Sequence, residues 1–160
     1  MQSAFYPGSF DPITNGHLNI IERAGAIFER IVVLVAINPL KKPLFAAEEN
    51  IAMIRTATRA IDGVEVDYTE GLTTDYARTK DISIMVRGLR AVTDFENEFS
   101  MALTNRILWP QADTVFLMTS ADYMYLSSST VRQIAQMGGD IGHFVPSCVE
   151  QALKRKFGYS

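Results

Sequence analysis

Cysteine is almost missing from this chain: Cys148 is the only one among 160 residues. No internal disulfide can form and no thiolate zinc cluster can be assembled, so a reducing, intracellular setting is expected. Long hydrophobic runs are missing too. The longest strongly apolar stretch, Ile31 to Ile37, is far short of the ~20 residues of a membrane helix. The N-terminus has no basic-then-apolar leader, which makes a cytoplasmic protein without a membrane partner the expectation. Excess positive charge is also lacking. The net charge is -3, whereas non-specific nucleic-acid binding rests on many Lys and Arg side chains neutralising phosphates; no nucleic-acid partner is expected. Several motifs are absent as well. Without G-x-x-x-x-G-K-[ST], G-x-G-x-x-G after the first strand, or a G-x-S-x-G elbow, P-loop enzymes, dinucleotide dehydrogenases and Ser-His-Asp hydrolases drop out. No compact Asp cluster suggests a protein-held metal.

What is present is ordinary globular composition, 48% hydrophobic and 21% charged. A chain of this length buries roughly 70% of its unfolded surface as one domain, here residues 1–160. Ala4-Phe5-Tyr6 reads as a strand ended by Pro7-Gly8. Leu18, Ile21, Ala24, Ile27 and Phe28 recur at helical spacing to about Glu29. Ile31 to Ile37 is the β-branched run of a strand covered on both faces. A helix from Ala47 to Ile61 and a more exposed, edge-like strand from Val64 to Tyr68 follow. A short helix, Asp75 to Lys80, leads to a fourth strand, Ile82 to Val86. Thr93 and Glu96 have capping-box spacing for a helix to about Trp109, with Phe95, Phe99, Ala102, Leu103 and Ile107 expected to face inward. Met101 and Met118 are likewise expected in the core, and Cys148 as a small buried filler. Thr114 to Met118 is a fifth strand. Leu126 to Thr130 opens a helix that runs to Met137, and a final amphipathic helix spans Pro146 to Phe157. Strands alternating with helices in so short a chain specify an α/β, Rossmann-like fold. It would have a five-stranded parallel sheet, helices on both faces and a C-terminal helix.

Ligands of such sheets bind beyond the strand carboxyl ends, where strand order reverses. Those ends carry Ser9 and His17, then Lys41, then Arg87 and Arg90, then Ser127 to Ser129. Short hydroxyls and helix N-terminal amides bind phosphate oxygens directly, while Lys and Arg neutralise their charge. The set reads as a cage for several phosphates. The blander alternatives are a helix cap for the serines and ion pairing of Arg87 and Arg90 with Asp94, Glu96 or Glu98.

Thr14-Asn-Gly-His17 resembles the [T/H]-x-G-H signature of the nucleotidyltransferase superfamily, and Leu126-Ser-Ser-Ser-Thr-Val-Arg132 resembles its I-S-S-[TS]-x-x-[RK] signature. The blocks Tyr6-Pro-Gly-Ser-Phe-Asp-Pro, Lys41-Lys-Pro, Arg87-Gly-Leu-Arg-Ala-Val and Asp94-Phe-Glu-Asn-Glu98 are similar to those of bacterial phosphopantetheine adenylyltransferases, over essentially the whole chain. The resemblance implies transfer of AMP from ATP to 4'-phosphopantetheine, giving dephospho-coenzyme A and pyrophosphate without a covalent intermediate. It implies His17, Lys41 and Arg87 as catalytic residues. An ATP site is implied at Ser9, Phe10, His17, Gly88, Leu89, Arg90, Glu98, Tyr123, Met124, Tyr125, Leu126, Ser127, Ser128 and Ser129. An acceptor site is implied at Ser9, Lys41, Thr73 and Arg87. Mg²⁺ would arrive with ATP, dephospho-coenzyme A or coenzyme A would also bind, and the assembly would be a homohexamer. The rival readings are transfer to another phosphate acceptor and a nucleotide-binding module that has lost catalysis.

Overall fold

The β-branched run forms β2 (Arg30–Ala36), and Ile31 to Val35 are all buried, as a strand covered on both faces requires. The computed structural model describes residues 2–159. Its other elements are β1 (Ser3–Gly8), α1 (Asn15–Gly25), α2 (Ala47–Thr58), β3 (Val64–Thr69), α3 (Thr73–Lys80), β4 (Ile84–Leu89), α4 (Val92–Leu108), β5 (Asp113–Met118), α5 (Ser128–Gln136) and α6 (Ser147–Phe157), with a 3-10 turn at Ala121–Tyr123. The five strands pair in the order β3-β2-β1-β4-β5, all parallel. The expected fold class is the observed one, and β3 lies at an edge. Strand order reverses at β1, so the crevice for ligands lies beyond the carboxyl ends of β1 and β4.

The period-two alternation of strands divides the core between the two faces. Ala4, Tyr6, Ile31, Val33, Val35 and Val86 pack with α1, α2, α5 and α6, whereas Phe5, Val32, Leu34 and Met85 pack with Ala77 of α3 and with Trp109. The α1 helix is held close to the sheet: a Cβ on Gly88 would come 3.0 Å from the Ile20 side chain. Glycine in β4 thus lets the helix that carries His17 sit directly on the strand that carries Arg87.

Several expectations need correction, among them the helix expected over Ala47 to Ile61, which ends at Thr58. The α1 helix stops at Gly25 rather than near Glu29, and Ile27 is exposed, because Ala26 to Phe28 turn the chain into β2 with bonds back to Glu22 and Ala24. The fourth strand runs from Ile84 to Leu89 instead of Ile82 to Val86. Ile82 is instead tied to the end of α3 by its bond to Ala77, so Arg87, Gly88 and Leu89 pair with Phe116, Leu117 and Met118 inside the sheet. The N-cap of α4 is Ala91 rather than Thr93, and the Asp94 carboxylate accepts the Ala91 N–H at 3.3 Å.

The largest departure concerns α4 itself, on which Asn105 is the one buried residue. Phe95, Phe99, Met101, Leu103 and Ile107, with Met118 of β5, were expected in the core, yet all are exposed, Ile107 by 81%. The periodicity is real, but the face it makes looks away from this chain. Phe95 stacks on Phe99 with centroids 5.6 Å apart and meets Phe116 edge-on at 5.9 Å, which makes one continuous apolar strip. Cys148 is half-buried against the core and free. The last turn of α6 holds Lys154, Arg155 and Lys156, favourable at the negative end of its dipole.

Candidate active site

The loop between β1 and α1 folds over a buried aromatic ring. Phe10 adopts a left-handed backbone (φ 45°) and is buried, and its ring returns beneath Gly8, where a Cβ would lie 3.0 Å from it. Such a backbone costs a bulky residue of order 1 kcal/mol or more and persists where the surroundings fix it. Here the fixing groups are Tyr6, edge-on at 5.3 Å between centroids, and His17, edge-on at 5.1 Å.

His17 is the third residue of α1 after the N-cap Thr14, and the two side chains cap each other. Thr14 Oγ1 accepts the His17 N–H at 3.4 Å, while the Thr14 N–H donates to His17 Nδ1 at 3.0 Å. Nδ1 must therefore be unprotonated, which puts the ring proton on Nε2, the edge left for the cavity that His17 lines. Enclosure of the ring, reinforced by the charges of Arg90 and Arg87, lowers its pKa from 6.5 to about 4. At neutral pH the site contains a neutral imidazole that donates from Nε2.

One prediction follows directly. In a pH titration of the chain's two histidines by NMR, with the His143 signal assigned through H143A, the His17 ring should remain neutral through pH 6 and titrate near 4. The unfolded chain takes up that proton near 6.5. Stability from this group is therefore full above about 6.5 and falls as pH drops toward 4.

His17 shares a cavity of about 270 Å³ with Ser9, Phe10, Arg87, Gly88, Arg90, Glu98, Tyr123, Leu126, Ser127 and Ser128. Both arginines come from the β4 end, and each is paired. Arg87 donates from Nε and Nη2 to the two oxygens of Glu98 at 2.7 and 2.6 Å, and from Nη1 to the Pro7 carbonyl at 2.6 Å. Burial alone would weaken its charge, but the Glu98 bond and field more than restore it. Arg90 Nε donates to Asp94 at 3.3 Å and Nη1 to the Leu126 carbonyl at 3.0 Å. The ion-pairing and cavity-lining readings of these arginines thus hold together: carboxylates orient the guanidiniums that line the cavity. Burial pushes the Tyr6 phenol up to about 12, so it remains a hydroxyl at the wall.

At α5 the N-cap Ser127 accepts the Thr130 N–H at 3.1 Å, and Ser128 Oγ donates to the Pro12 carbonyl at 2.8 Å. That second bond ties the second signature to the Tyr6–Pro12 block just before the first, across 116 residues. The amides of Ser128 and Ser129 lie in the first turn of α5, where helix N–H groups have no intrahelical acceptor and favour anions.

The remaining sequence candidates lie around this cavity. Lys41 and Lys42 are exposed and line a second cavity of about 300 Å³, which shares Ser9 with the first. Leu89 is buried in β4 behind the wall. Met124, Tyr125 and Ser129 are exposed next to it, Ser129 bonded to Ser127 Oγ at 3.0 Å. Thr73 opens α3 and lines neither cavity. Among the described residues no group of three or more His, Cys, Asp or Glu is arranged to hold a metal, and the cavity's carboxylates, Asp94 and Glu98, are both engaged by arginines.

Sequence reasoning gave no site role to Tyr6, Asp11, Thr119 or Arg132, which line one cavity or the other. Arg132 closes the second signature, a signal that was available. Asp11 gave none, because its partners lie far along the chain.

The cytidylyltransferase-like family profile matches residues 5–134. A phosphopantetheine adenylyltransferase of Carboxydothermus hydrogenoformans is 52% identical over 157 residues, 98% of this chain and 97% of that one. One of Moorella thermoacetica is 52% identical over 159 residues, 99% of each. The chain belongs to the phosphopantetheine adenylyltransferase family. A crystal structure from Vibrio parahaemolyticus, provisionally named a nicotinate-nucleotide adenylyltransferase, superposes with a TM-score of 0.70 at 16% identity, covering 98% of this chain and 95% of that one. At that identity it speaks for the fold alone, a sheet shared beyond the phosphopantetheine adenylyltransferase family.

Proposed function

We propose that this chain transfers AMP from ATP to 4'-phosphopantetheine, forming dephospho-coenzyme A and releasing pyrophosphate. Identity of about half over nearly the full length of the phosphopantetheine adenylyltransferases supports the substrate pair. The observation that carries the chemistry is the Thr14 bond to Nδ1, which leaves His17 Nε2–H as a donor.

The acceptor phosphate is already an anion, so no general base is required. One of its oxygens bonds to the α-phosphorus as the bond from that phosphorus to the pyrophosphate oxygen breaks, and pyrophosphate leaves with the electron pair. The barrier lies in bringing two anions into line and holding the charge that builds around the α-phosphorus. His17 Nε2–H donates to an α-phosphate oxygen. Because the imidazole is neutral before reaction, its donor direction is set by Thr14 and Phe10 rather than by the substrate. Lys41 and Arg87 hold the acceptor phosphate beside Ser9. Arg90 and the first turn of α5 hold the β- and γ-phosphates. Mg²⁺ would come with ATP and offset phosphate charge rather than be held by a protein cage, since Asp94 and Glu98 are engaged by arginines and offer no free oxygen set for it.

Initial rates with ATP or CTP against 4'-phosphopantetheine, nicotinamide mononucleotide and glycerol phosphate test the assignment. ATP with 4'-phosphopantetheine should exceed every other pair by at least ~10²-fold, since a site built for one polar acceptor rejects others that leave its groups unpaired. Equal rates with another acceptor overturn it.

The enzyme works as a homohexamer in the cytoplasm, without nucleic-acid or membrane partners. The exposed strip on α4 and β5 supports assembly, since contiguous apolar patches of this kind mark protein interfaces. No described helix is long and apolar enough to cross a membrane. Sedimentation equilibrium should give about six times the 17.8 kDa chain mass. Ile107→Glu, which places a charge on the strip, should yield smaller species; an unchanged mass for that variant removes the strip from the interface.

A further inference from the structure

Asp11 lies between the first signature and the lysine loop, and its side chain is bonded on every side. Oδ2 accepts the Leu44 N–H at 2.7 Å, and Oδ1 accepts the Phe45 N–H at 3.0 Å and Asn50 Nδ2 at 3.1 Å. Arg132 Nη1 stands 3.8 Å from Oδ2 and also donates to the Asp11 carbonyl. Three segments thus meet on one residue: the end of the loop between β2 and α2, the first turn of α2, and α5. Asp11 is 7% exposed, and a polar group so enclosed requires hydrogen-bond partners, which these donors supply. Asn50 Oδ1 is buried with no partner, so the orientation of that amide is dictated by Asp11 alone.

The loop held in this way carries Lys41 and Lys42. Among the described residues its outer part is bonded only to itself, through Leu40 N–H to Asn38 Oδ1 at 2.9 Å and Lys41 N–H to the Asn38 carbonyl at 3.1 Å. Lys41 is exposed and has no ion-pair partner among the described residues. Nothing local fixes where its ammonium stands relative to Ser9. The fixed points are Ile37, whose N–H donates to the Thr69 carbonyl at 2.9 Å, and the Leu44–Phe45 pair on Asp11. Asp11 follows Ser9 by two residues, so a single short segment presents the acceptor-side hydroxyl and anchors the acceptor-side lysine.

We propose that Asp11 is a positioning residue for the acceptor phosphate: its hold on Leu44 and Phe45 sets the place of Lys41 relative to Ser9. The proposal rests on the assignment of Lys41 to the acceptor phosphate made above. Asp11 touches neither substrate. It acts through the loop, and its loss falls on the acceptor rather than on ATP. In Asp11→Asn one carboxylate oxygen becomes a donor. An N–H then faces the Leu44 or the Phe45 N–H, and the loop is released with little change in side-chain volume.

The experiment is steady-state kinetics of the full chain with ATP and 4'-phosphopantetheine for the wild type, D11N, K41A and D11N/K41A. Exchange of the Leu44 and Phe45 amides and thermal melting are followed in parallel. D11N should raise KM for the acceptor by about 10-fold and leave KM for ATP within about 3-fold, with faster exchange at both amides. Because Asp11 acts through Lys41, adding D11N to K41A should change the acceptor KM by less than about 2-fold. Multiplying effects in the double variant, or equal losses for both substrates that follow the fall in Tm, would mean that Asp11 only stabilises the fold, and would overturn the proposal. If K41A alone leaves the acceptor KM unchanged, the Lys41 assignment fails and takes this proposal with it. If K41A raises that KM and D11N does not, only the role of Asp11 fails.

Discussion

His17→Ala should lower kcat by roughly 10²-fold or more, about 3 kcal/mol of transition-state stabilisation, with only a modest rise in KM for ATP. The substitution removes two things at once. It deletes the Nε2–H donor, and it takes from the Thr14 N–H its acceptor at the start of α1, which costs of order 1 kcal/mol as a lost cap. His17→Gln separates them. Glutamine at the third helical position reaches back to the N-cap N–H as a normal capping-box residue, so melting should return toward the wild type. The amide then faces Thr14 instead of the substrate, and turnover should remain low. Recovery of turnover in step with Tm would assign His17 to helix capping alone.

Arg87→Ala should be costly to both stability and activity. It leaves the Glu98 carboxylate, whose side chain is 18% exposed, without its bidentate partner, and removes the donor from the Pro7 carbonyl. Breaking a buried pair costs about 3–5 kcal/mol. With the Arg87 side chain 30% exposed, screening by water reduces this to about 2 kcal/mol, or a fall in Tm of roughly 4–8 °C for a chain of this size. In Arg87→Ala/Glu98→Gln no carboxylate is left stranded, so most of the Tm should return. Turnover should stay down roughly 10²-fold or more, because the acceptor phosphate still lacks its guanidinium. Lysine is no substitute here, since it cannot bond both Glu98 oxygens and Pro7 together. A double variant that regains both stability and activity would reduce Arg87 to a structural ion pair.

The sheet was legible in the sequence wherever burial on both faces leaves a continuous β-branched run, as in β2, or exposure leaves alternation, as in β3. It was not legible at the end of β4. There Arg87 reads as the polar stop after a strand, but it continues the ladder because Glu98 and Pro7 satisfy its charge within the protein. On α4 the periodicity was read correctly and given the wrong partner. Phe95, Phe99 and Ile107 repeat at helical spacing whether the surface they meet belongs to this chain or to a second copy. Sequence spacing does not tell the two apart.

The site divides in the same way. His17 and the serines of α5 stand out because each lies within a few residues of its cap, and local spacing carries local geometry. The pairing of Arg90 with Asp94 is likewise a four-residue relation. By contrast, Asp11 bonds to groups 33, 34 and 39 residues away, and Arg132 reaches it across 121. The folding of Phe10 against Tyr6 and His17 depends on a left-handed backbone at a bulky residue, which residue type gives no reason to expect. The residues assigned to substrate contact are thus easier to read than those that hold them in place.

In the proposed mechanism a neutral imidazole and a set of oriented cations join ATP to 4'-phosphopantetheine without a covalent intermediate. Incubation of the purified protein with ATP, Mg²⁺ and 4'-phosphopantetheine, with pyrophosphate and dephospho-coenzyme A followed in the same reaction, tests this most directly. The two products should appear in equal amounts, and no pyrophosphate should form when the acceptor is left out. Pyrophosphate released without the acceptor, or no formation of either product, would contradict it.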